Sequence, residues 1–80
     1  MNYLVIFHTF SGVMALERYM KKNRIDCETM PAPRALSVDC GVALRFQSEN
    51  FMKIISEVSA ENIHRVYEVN DTYHLVFEND

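Results

Sequence analysis

The residues best suited to chemistry lie together in one short stretch of the chain, APRALSVDCG at positions 32–41. It contains an arginine, Arg34, a hydroxyl, Ser37, and a thiol, Cys40, followed at once by Gly41. A thiolate is a strong nucleophile, and nearby positive charge or a helix N-terminus lowers its pKa. The stretch therefore predicts a reactive thiol site. The alternative is a structural cysteine that packs as a small apolar residue at the start of a strand.

The composition indicates one folded domain, residues 1–80, that would have to position this stretch. Of the 80 residues, 49% are hydrophobic and 11% aromatic, and the formal charge is −3. The basic residues are scattered apart from a small cluster at Lys21, Lys22 and Arg24, which argues against a nucleic-acid partner. No apolar run approaches the roughly 20 residues of a membrane span. The N-terminal residues lack the features of a signal peptide, so we expect a cytoplasmic protein with free thiols.

The first half of the chain is predicted to form a strand, a helix and two further strands. Residues 3–8 are apolar at both odd and even positions, which favours a strand covered on both faces. A helix is predicted over 12–23, with Ser11 or Thr9 as its N-cap and Asn23 in the left-handed position at its end. Strands follow at 25–30 and 42–46. The helix's apolar stripe is Val13, Leu16 and Met20, and Val42, Leu44 and Phe46 share one face of the later strand.

The second half of the chain is predicted to form a helix followed by two strands. Ser48 is the expected N-cap of the second helix. Residues 64–69 and 72–78 are predicted to form a hairpin, with Asn70 and Asp71 at positive φ in its turn. The helix's apolar face is Phe51, Ile54, Ile55 and Val58.

This order predicts an α+β fold, a ferredoxin-like βαββαβ sandwich with an extra C-terminal strand. Its antiparallel sheet would have the order 4-1-3-2, with the fifth strand appended and two helices on one face. That topology places APRALSVDCG at the same end as the start of the first helix. His8 and Ser11 would then lie near Cys40, with His64 and Arg65 on the same rim. The free N–H groups of a helix start favour anions, including a thiolate.

Several of these residues also have an ordinary structural explanation. Arg34 is either an anion clamp or a solvated arginine, or one paired with Asp39 or Glu28. His8 and His64 are more typical of hydrogen-bonded or exposed rings than of proton-transfer groups. Ser37 commonly caps its own turn, and Gly41 is expected to permit positive φ or a close backbone approach.

Cys27, the second thiol, is expected to pack in an edge strand. Pairing with Cys40 would need their Cα atoms to lie within about 7 Å. The sequence has no CxxC, HxxxH or HExxH spacing, so no metal site is predicted.

Residues 33–41 form a Pro-Arg-x-x-Ser-x-x-Cys-Gly motif. This motif resembles that of the putative selenium/sulfur carrier protein-like family. The similarity covers most of the chain, and it is carried by YLVIFHTF, by ALE in the first helix and above all by PAPRALSVDCGVALRF at 31–46. The resemblance implies a small α/β protein whose cysteine carries sulfur or selenium as a persulfide or selenopersulfide. The positions that match are Pro33, Arg34, Ser37, Cys40 and Gly41; Cys27 lies outside the motif.

The resulting hypothesis is sulfur or selenium carriage on Cys40, with unidentified donor and acceptor proteins as partners and no cofactor. Arg34 and the start of the first helix would stabilise the anion, while Ser37 and Gly41 shape the loop. A carrier or binding role is favoured over a turnover enzyme. The alternative is a non-catalytic module whose loop binds a small anion or a partner protein. A homodimer through the open face of the sheet is compatible with either function.

Overall fold

The computed structural model describes residues 1–36, 41–49, 51–57 and 63–79, with only the backbone described at positions 51 and 57. Seven elements follow one another in the predicted order. Their bounds are β1 Asn2–Phe7, α1 Phe10–Lys22, β2 Cys27–Pro31, β3 Val42–Gln47, α2 Phe51–Glu57, β4 Ile63–Val69 and β5 Tyr73–Glu78.

The strands form one five-stranded antiparallel sheet in the order β2-β3-β1-β4-β5. β1 is the central strand, as its apolar sequence indicated, and its residues from Tyr3 to Phe7 are at most 3% exposed. An α+β fold with two helices and a five-stranded antiparallel sheet is therefore confirmed. β2 and β5 are the outer strands of the sheet.

The larger core cluster joins both helices to one set of sheet residues. Val13, Leu16 and Met20 of α1 belong to it, which confirms the predicted apolar stripe. Ile54 and Ile55 of α2 belong to it too. The sheet contributes Tyr3, Val5, Phe7, Leu44, Phe46, Ile63 and Val66. Along β1 and β3 these side chains alternate with residues outside the cluster, so they lie on one side of the sheet. In β4, a register shift between Ile63 and Arg65 places Ile63 and Val66 on that same side.

A smaller core cluster contains the alternate residues of the same strands. Leu4 and Ile6 of β1 meet Ala43 of β3 and Tyr67 of β4 there. Ala32 and Leu36, from the segment that follows β2, pack against them together with Met30 and Val69. Leu4 and Ile6 are 2% and 0% exposed, so the chain itself covers the second side of β1.

Of the two N-caps predicted for α1, the structure has Thr9, although the helix begins two residues earlier than predicted, and the end of the helix differs from the prediction. The helix begins at Phe10, and Thr9 is its N-cap in extended conformation, so Ser11 lies inside the first turn. At the other end, Asn23 has a φ of −99° and is not left-handed. Arg24 takes the left-handed conformation instead, with a φ of 57°. The Asn23 side chain is used differently: its amide donates a hydrogen bond to the Tyr19 carbonyl at 2.9 Å.

One cap prediction stays a prediction, and one turn prediction is corrected. α2 begins at Phe51, three residues after Ser48, and the Ser48 backbone N–H donates to the Met1 carbonyl. In the β4–β5 connection, the Asn70 N–H donates to the Thr72 carbonyl at 3.0 Å. Asn70 and Asp71 keep negative φ, because Arg24 is the one non-glycine residue with positive φ in the described part of the chain. The longer connection removes the need for a two-residue turn.

Candidate functional site

One end of the sheet gathers several of the residues that the sequence singled out. β1, β2 and β5 end there, and β3 and β4 begin there. The β1–β3 register pairs Ile6 with Ala43, so its continuation sets His8 opposite Gly41. On the other side of Gly41, its carbonyl accepts a hydrogen bond from the Ala32 N–H at 2.9 Å. We call this region the site end of the sheet.

His8 and His64 lie against each other at the site end. Their ring centroids are 4.5 Å apart. The His8 Nε2–H donates to the Asn79 carbonyl at 3.0 Å, and the Asn79 N–H in turn donates to the His64 carbonyl at 2.9 Å. A carbonyl can only accept, so His8 carries a proton on Nε2. Asn79, just after β5, ties the pair together and was not foreseen from the sequence.

Arg65 is engaged within the sheet. Its Nε donates to Oε2 of Glu78 at 2.8 Å, across the β4–β5 pair. This hydrogen bond to Glu78 raises the pKa of the Arg65 guanidinium, so the side chain stays charged. Because Arg65 is bonded to Glu78 of β5, its side chain lies along the surface of the sheet, near His8 and His64.

The start of α1 follows His8 directly. Thr9 supplies the N-cap backbone, but its side chain makes no capping hydrogen bond. Ser11 is exposed in the first turn. The first turn contains no acidic residue, so no carboxylate opposes an anion there.

Arg34 and Gly41 lie at the two ends of the segment that contains the thiol. Arg34 is exposed in a turn in which the Leu36 N–H donates to the Pro33 carbonyl at 2.9 Å. Gly41 has a φ of 74°, as predicted for this glycine. A Cβ added to Gly41 would meet no atom within 4 Å, so its backbone conformation, not crowding, requires glycine there.

Cys40 and Ser37 lie outside the described residues, and so does Asp39. The thiol's assignment therefore rests on the sequence and on its covalent neighbour Gly41.

Cys27 lies at the opposite end of β2 from the site end. It is half-buried, packs against the larger core cluster and pairs with Phe46 across β3. Burial is the main cause that raises the pKa of the Cys27 thiol. Glu17 and Asp26 raise this pKa further, and Lys21 lowers it. Such a thiol is a weak nucleophile near neutral pH, which agrees with the expected packing role.

In the described part of the chain, no group of three or more His, Cys, Asp or Glu side chains could hold a metal ion. None of the helices in that part is long and apolar enough to cross a membrane.

A comparison with protein families matches residues 2–68 to the family described as putative Se/S carrier protein-like. The chain belongs to this family. The match covers the chain from β1 to all but the last residue of β4, and it includes the whole Pro-Arg-x-x-Ser-x-x-Cys-Gly stretch. The family resemblance seen in the sequence is therefore confirmed. Comparisons with curated proteins and with solved structures found no match.

Proposed function

We propose that this member of the Se/S carrier-like family carries sulfur or selenium on Cys40, as a persulfide or selenopersulfide. The observation that carries the proposal is the family match over residues 2–68. Unidentified donor and acceptor proteins would load and unload the thiol. The cytoplasmic location expected from the sequence belongs to the same proposal, because a reducing compartment keeps the thiol free.

The transfer needs no outside oxidant. The Cys40 thiolate attacks the terminal sulfur of a donor persulfide, R–S–SH, and a new S–S bond forms on Cys40. The bond between the donor's two sulfurs breaks, and the donor leaves as a thiolate, R–S⁻, which takes up the proton that Cys40 released. The reverse attack by an acceptor thiolate unloads the carrier. Selenium follows the same steps from R–S–SeH. As in thiol–disulfide exchange, the rate depends on the fraction of attacking thiolate.

The surroundings of Gly41 support this chemistry. Cys40 is bonded to Gly41, which continues the β1–β3 register opposite His8. His8 lies within ring contact of His64 and directly precedes α1. In the proposal, His8 exchanges the proton that Cys40 and the leaving thiolate pass between them.

The remaining motif residues would serve the anion and the loop. Arg34 supplies positive charge, and Ser37 donates a hydrogen bond to the thiolate. The first turn of α1, which includes Ser11, contributes backbone N–H groups and a favourable dipole. Gly41 provides the left-handed backbone next to the thiol.

Alkylation and persulfide loading test the proposal together. The Cys27→Ser variant leaves Cys40 as the single thiol. We expect its alkylation rate to titrate with a pKa below the ordinary value of about 8.5. After incubation with a low-molecular-weight persulfide, mass spectrometry should show one added sulfur. Cys40→Ser is the matched control and should remain unmodified. A Cys40 thiol with an ordinary or raised pKa that accepts no sulfur would refute carriage.

A small-anion-binding module is the second candidate. It is favoured by α1, whose N-cap residue Thr9 makes no side-chain capping bond, and by the exposed guanidinium of Arg34. A phosphate or sulfate titration followed by amide chemical shifts distinguishes it. Binding that survives in Cys40→Ser and is lost in Arg34→Ala would support this module over the carrier.

The finer description of the fold belongs to the proposal as well. We infer a ferredoxin-like sandwich in which α1 and α2 cover the same face of the sheet. Residues of both helices in the larger core cluster support this arrangement. β5 is then the strand appended to the βαββαβ unit.

The homodimer expected from the sequence remains a prediction. Leu4 and Ile6 are already buried within one chain, so a second copy would have to contact other apolar residues of that face. Tyr73 and Leu75 of β5, 47% and 50% exposed, are the available large ones. Light scattering over a range of concentrations tests this, with Leu75→Glu expected to abolish any dimer.

A further inference from the structure

A groove of about 460 Å³ runs between α1 and the outer strand β2. Phe10, Val13 and Glu17, spaced one helical turn apart, line it from α1. Thr29 and Pro31 line it from β2, and it ends at Gly41. We call it the edge groove. It lies on the helix side of an outer strand, so a chain that paired with β2 would direct alternate side chains into it.

The backbone of β2 offers hydrogen bonds along its outer edge. The bond from the Ala32 N–H to the Gly41 carbonyl fixes which residues point inward. Because antiparallel pairs alternate, Met30 and Glu28 also bond toward β3, while Cys27, Thr29 and Pro31 point their backbone groups outward. Pro31 fits this parity, since it lacks an N–H and occupies the outward position of an edge strand. Thr29 thus presents one N–H and one carbonyl to a strand arriving from outside.

Apolar side chains of α1 are exposed in the edge groove and beside it. Phe10 is 56% exposed and Met14, on the next turn of α1, is 48% exposed. Val13 beneath them is fully buried and forms part of the larger core cluster. An apolar side chain inserted from a pairing strand would therefore cover Phe10 and continue the core.

The charge near the edge groove favours a cationic occupant. Glu17 lines the groove itself, and Asp26 lies just before β2 in a neighbouring pocket that Cys27 also lines. Glu28 is directed to the other side of the sheet, where it is paired with Arg45 of β3. Glu17 and Asp26 both act on the Cys27 thiol, opposed by Lys21 alone. The ion pair of Lys21 with Glu17 is long, 3.9 Å, and Lys21 is mostly exposed, so the pair is weak and a cation of a bound peptide can replace Lys21 beside Glu17.

The backbone argues against a second copy of this chain at β2. Antiparallel pairing of two β2 strands about Thr29 would set Pro31 of each copy, which lacks an N–H, opposite Cys27 of the other, so two main-chain hydrogen bonds would be lost. Each chain also has a formal charge of −3. A helix would leave the outward backbone groups of Thr29 unused. An extended basic segment satisfies the hydrogen bonds, the apolar rim and the charge together.

We propose that β2 binds an extended peptide segment of a partner protein, which pairs with the strand, inserts an apolar side chain into the edge groove and sets Lys or Arg beside Glu17 and Asp26. This is recognition by strand addition, in which main-chain bonds give affinity and alternate side chains give specificity. The edge groove ends at Gly41, so the segment would run toward Cys40. The inference rests on the proposed function in one respect only, the identification of the partner protein as the sulfur or selenium donor or acceptor.

The test uses a synthetic seven-residue peptide, blocked at both ends, that alternates Lys with Val and carries Phe at its centre. Titrated into the ¹⁵N-labelled Cys40→Ser protein, it should shift the amides of Cys27, Thr29 and Phe10. A peptide with Asp in place of Lys should bind at least tenfold more weakly, and added salt should narrow that difference.

Two changes isolate the main-chain pairing. Methylating the peptide nitrogens that face Thr29 should weaken binding about fivefold for each hydrogen bond lost, with no change to the protein. Thr29→Pro removes the outward N–H while keeping the inward ladder, and should weaken binding similarly. Thr72→Ala, a change of an exposed threonine beside the other outer strand, is the control that should bind normally.

Three results would overturn the proposal. One is equal binding of the methylated and unmethylated peptides; another is a shift pattern centred on β5. The third is concentration-dependent shifts of Cys27–Pro31 without peptide, which would make a second copy the occupant. Because the protein lacks Cys40 throughout, failure here is separate from failure of the carrier function. A protein that loads sulfur but ignores the peptide would retain the function and lose this docking site.

Discussion

Mild oxidation of the native protein should not join its two cysteines to each other. Cys27 of β2 pairs with Phe46 of β3, and Gly41 lies five residues before Phe46, just ahead of the start of β3. At about 3.4 Å per residue, Cys27 and Gly41 are separated by roughly 17 Å along the strands. Cys40 is bonded to Gly41, and successive Cα atoms are about 3.8 Å apart. The two cysteine Cα atoms are therefore at least about 13 Å apart, against the roughly 7 Å limit for a disulfide.

Closing that gap would require β2 to separate from β3. The ladder pairs Cys27–Pro31 with Val42–Phe46, and the Ala32–Gly41 hydrogen bond extends it. A disulfide in the native state would thus require most of the hydrogen bonds between β2 and β3 to break. In denaturant the constraint disappears, and the 13-residue separation of the cysteines permits an easy loop closure.

Diamide oxidation followed by mass spectrometry under non-reducing conditions measures this. The native monomer should keep two free thiols or form mixed products through Cys40, while the unfolded chain should form the Cys27–Cys40 disulfide. Cys27→Ser serves as the control, since it cannot form an intramolecular bond in either state. A native protein that rapidly forms the intramolecular disulfide, with its fold retained by circular dichroism, would refute the strand register. It would also restore Cys27 as a resolving thiol for Cys40.

Three further predictions follow from particular residues. In Cys40→Ser, the remaining Cys27 should be alkylated more slowly in the native state than in denaturant at pH 8, because burial raises its folded pKa. The stability that comes from keeping this thiol protonated should be complete below the thiol's ordinary pKa and should be lost as pH rises through the folded pKa. Urea unfolding from pH 7 upward, compared with the Cys27→Ser, Cys40→Ser double variant, would show this loss. Leu16→Ala, at a position that is 0% exposed, should cost about 2–5 kcal/mol in chemical unfolding, whereas Met14→Ala on the exposed side of the same helix should stay within about 0.5 kcal/mol; equal effects would contradict the assigned helix face. Gly41→Ala should cost about 1–2 kcal/mol from its φ of 74° alone, and Gly41→Asn less, in thermal or urea unfolding, since no neighbouring atom opposes a Cβ; a neutral alanine would show that the left-handed backbone is not required.

Local rules misplaced the ends of elements for identifiable reasons. Ser11 and Thr9 are both good N-cap residues, and only the path from β1 into the larger core cluster places Phe10 at the first helical position. Asn tolerates the left-handed conformation better than Arg, yet Arg24 adopts it. The Ile25 N–H bonds back to the Met20 carbonyl at 2.8 Å, and the reversal at Arg24 permits this closure.

In the candidate site too, the sequence indicated some of the residues but not the contacts that the tertiary structure brings about. The sequence singled out Cys40, Arg34, Ser37 and Gly41 as a motif, and these residues lie within the stretch that the family match covers. It did not indicate Asn79, which holds His8 and His64 through backbone groups that carry no sequence signature. Nor did it reveal the edge groove, because Phe10 and Thr29 are far apart in the chain and each is ordinary where it stands.

The sequence by itself determined the order of the elements, the central position of β1 and the family. These depend on the periodicity of apolar residues and on a contiguous motif, both of which are local properties of the chain. Only the tertiary structure decided which side chains meet: the His8–His64 contact, the distance from Cys27 to Gly41 and the groove beside β2. Each of these follows from strand register and helix placement, which are set by long-range packing of the two core clusters rather than by any residue's own preference.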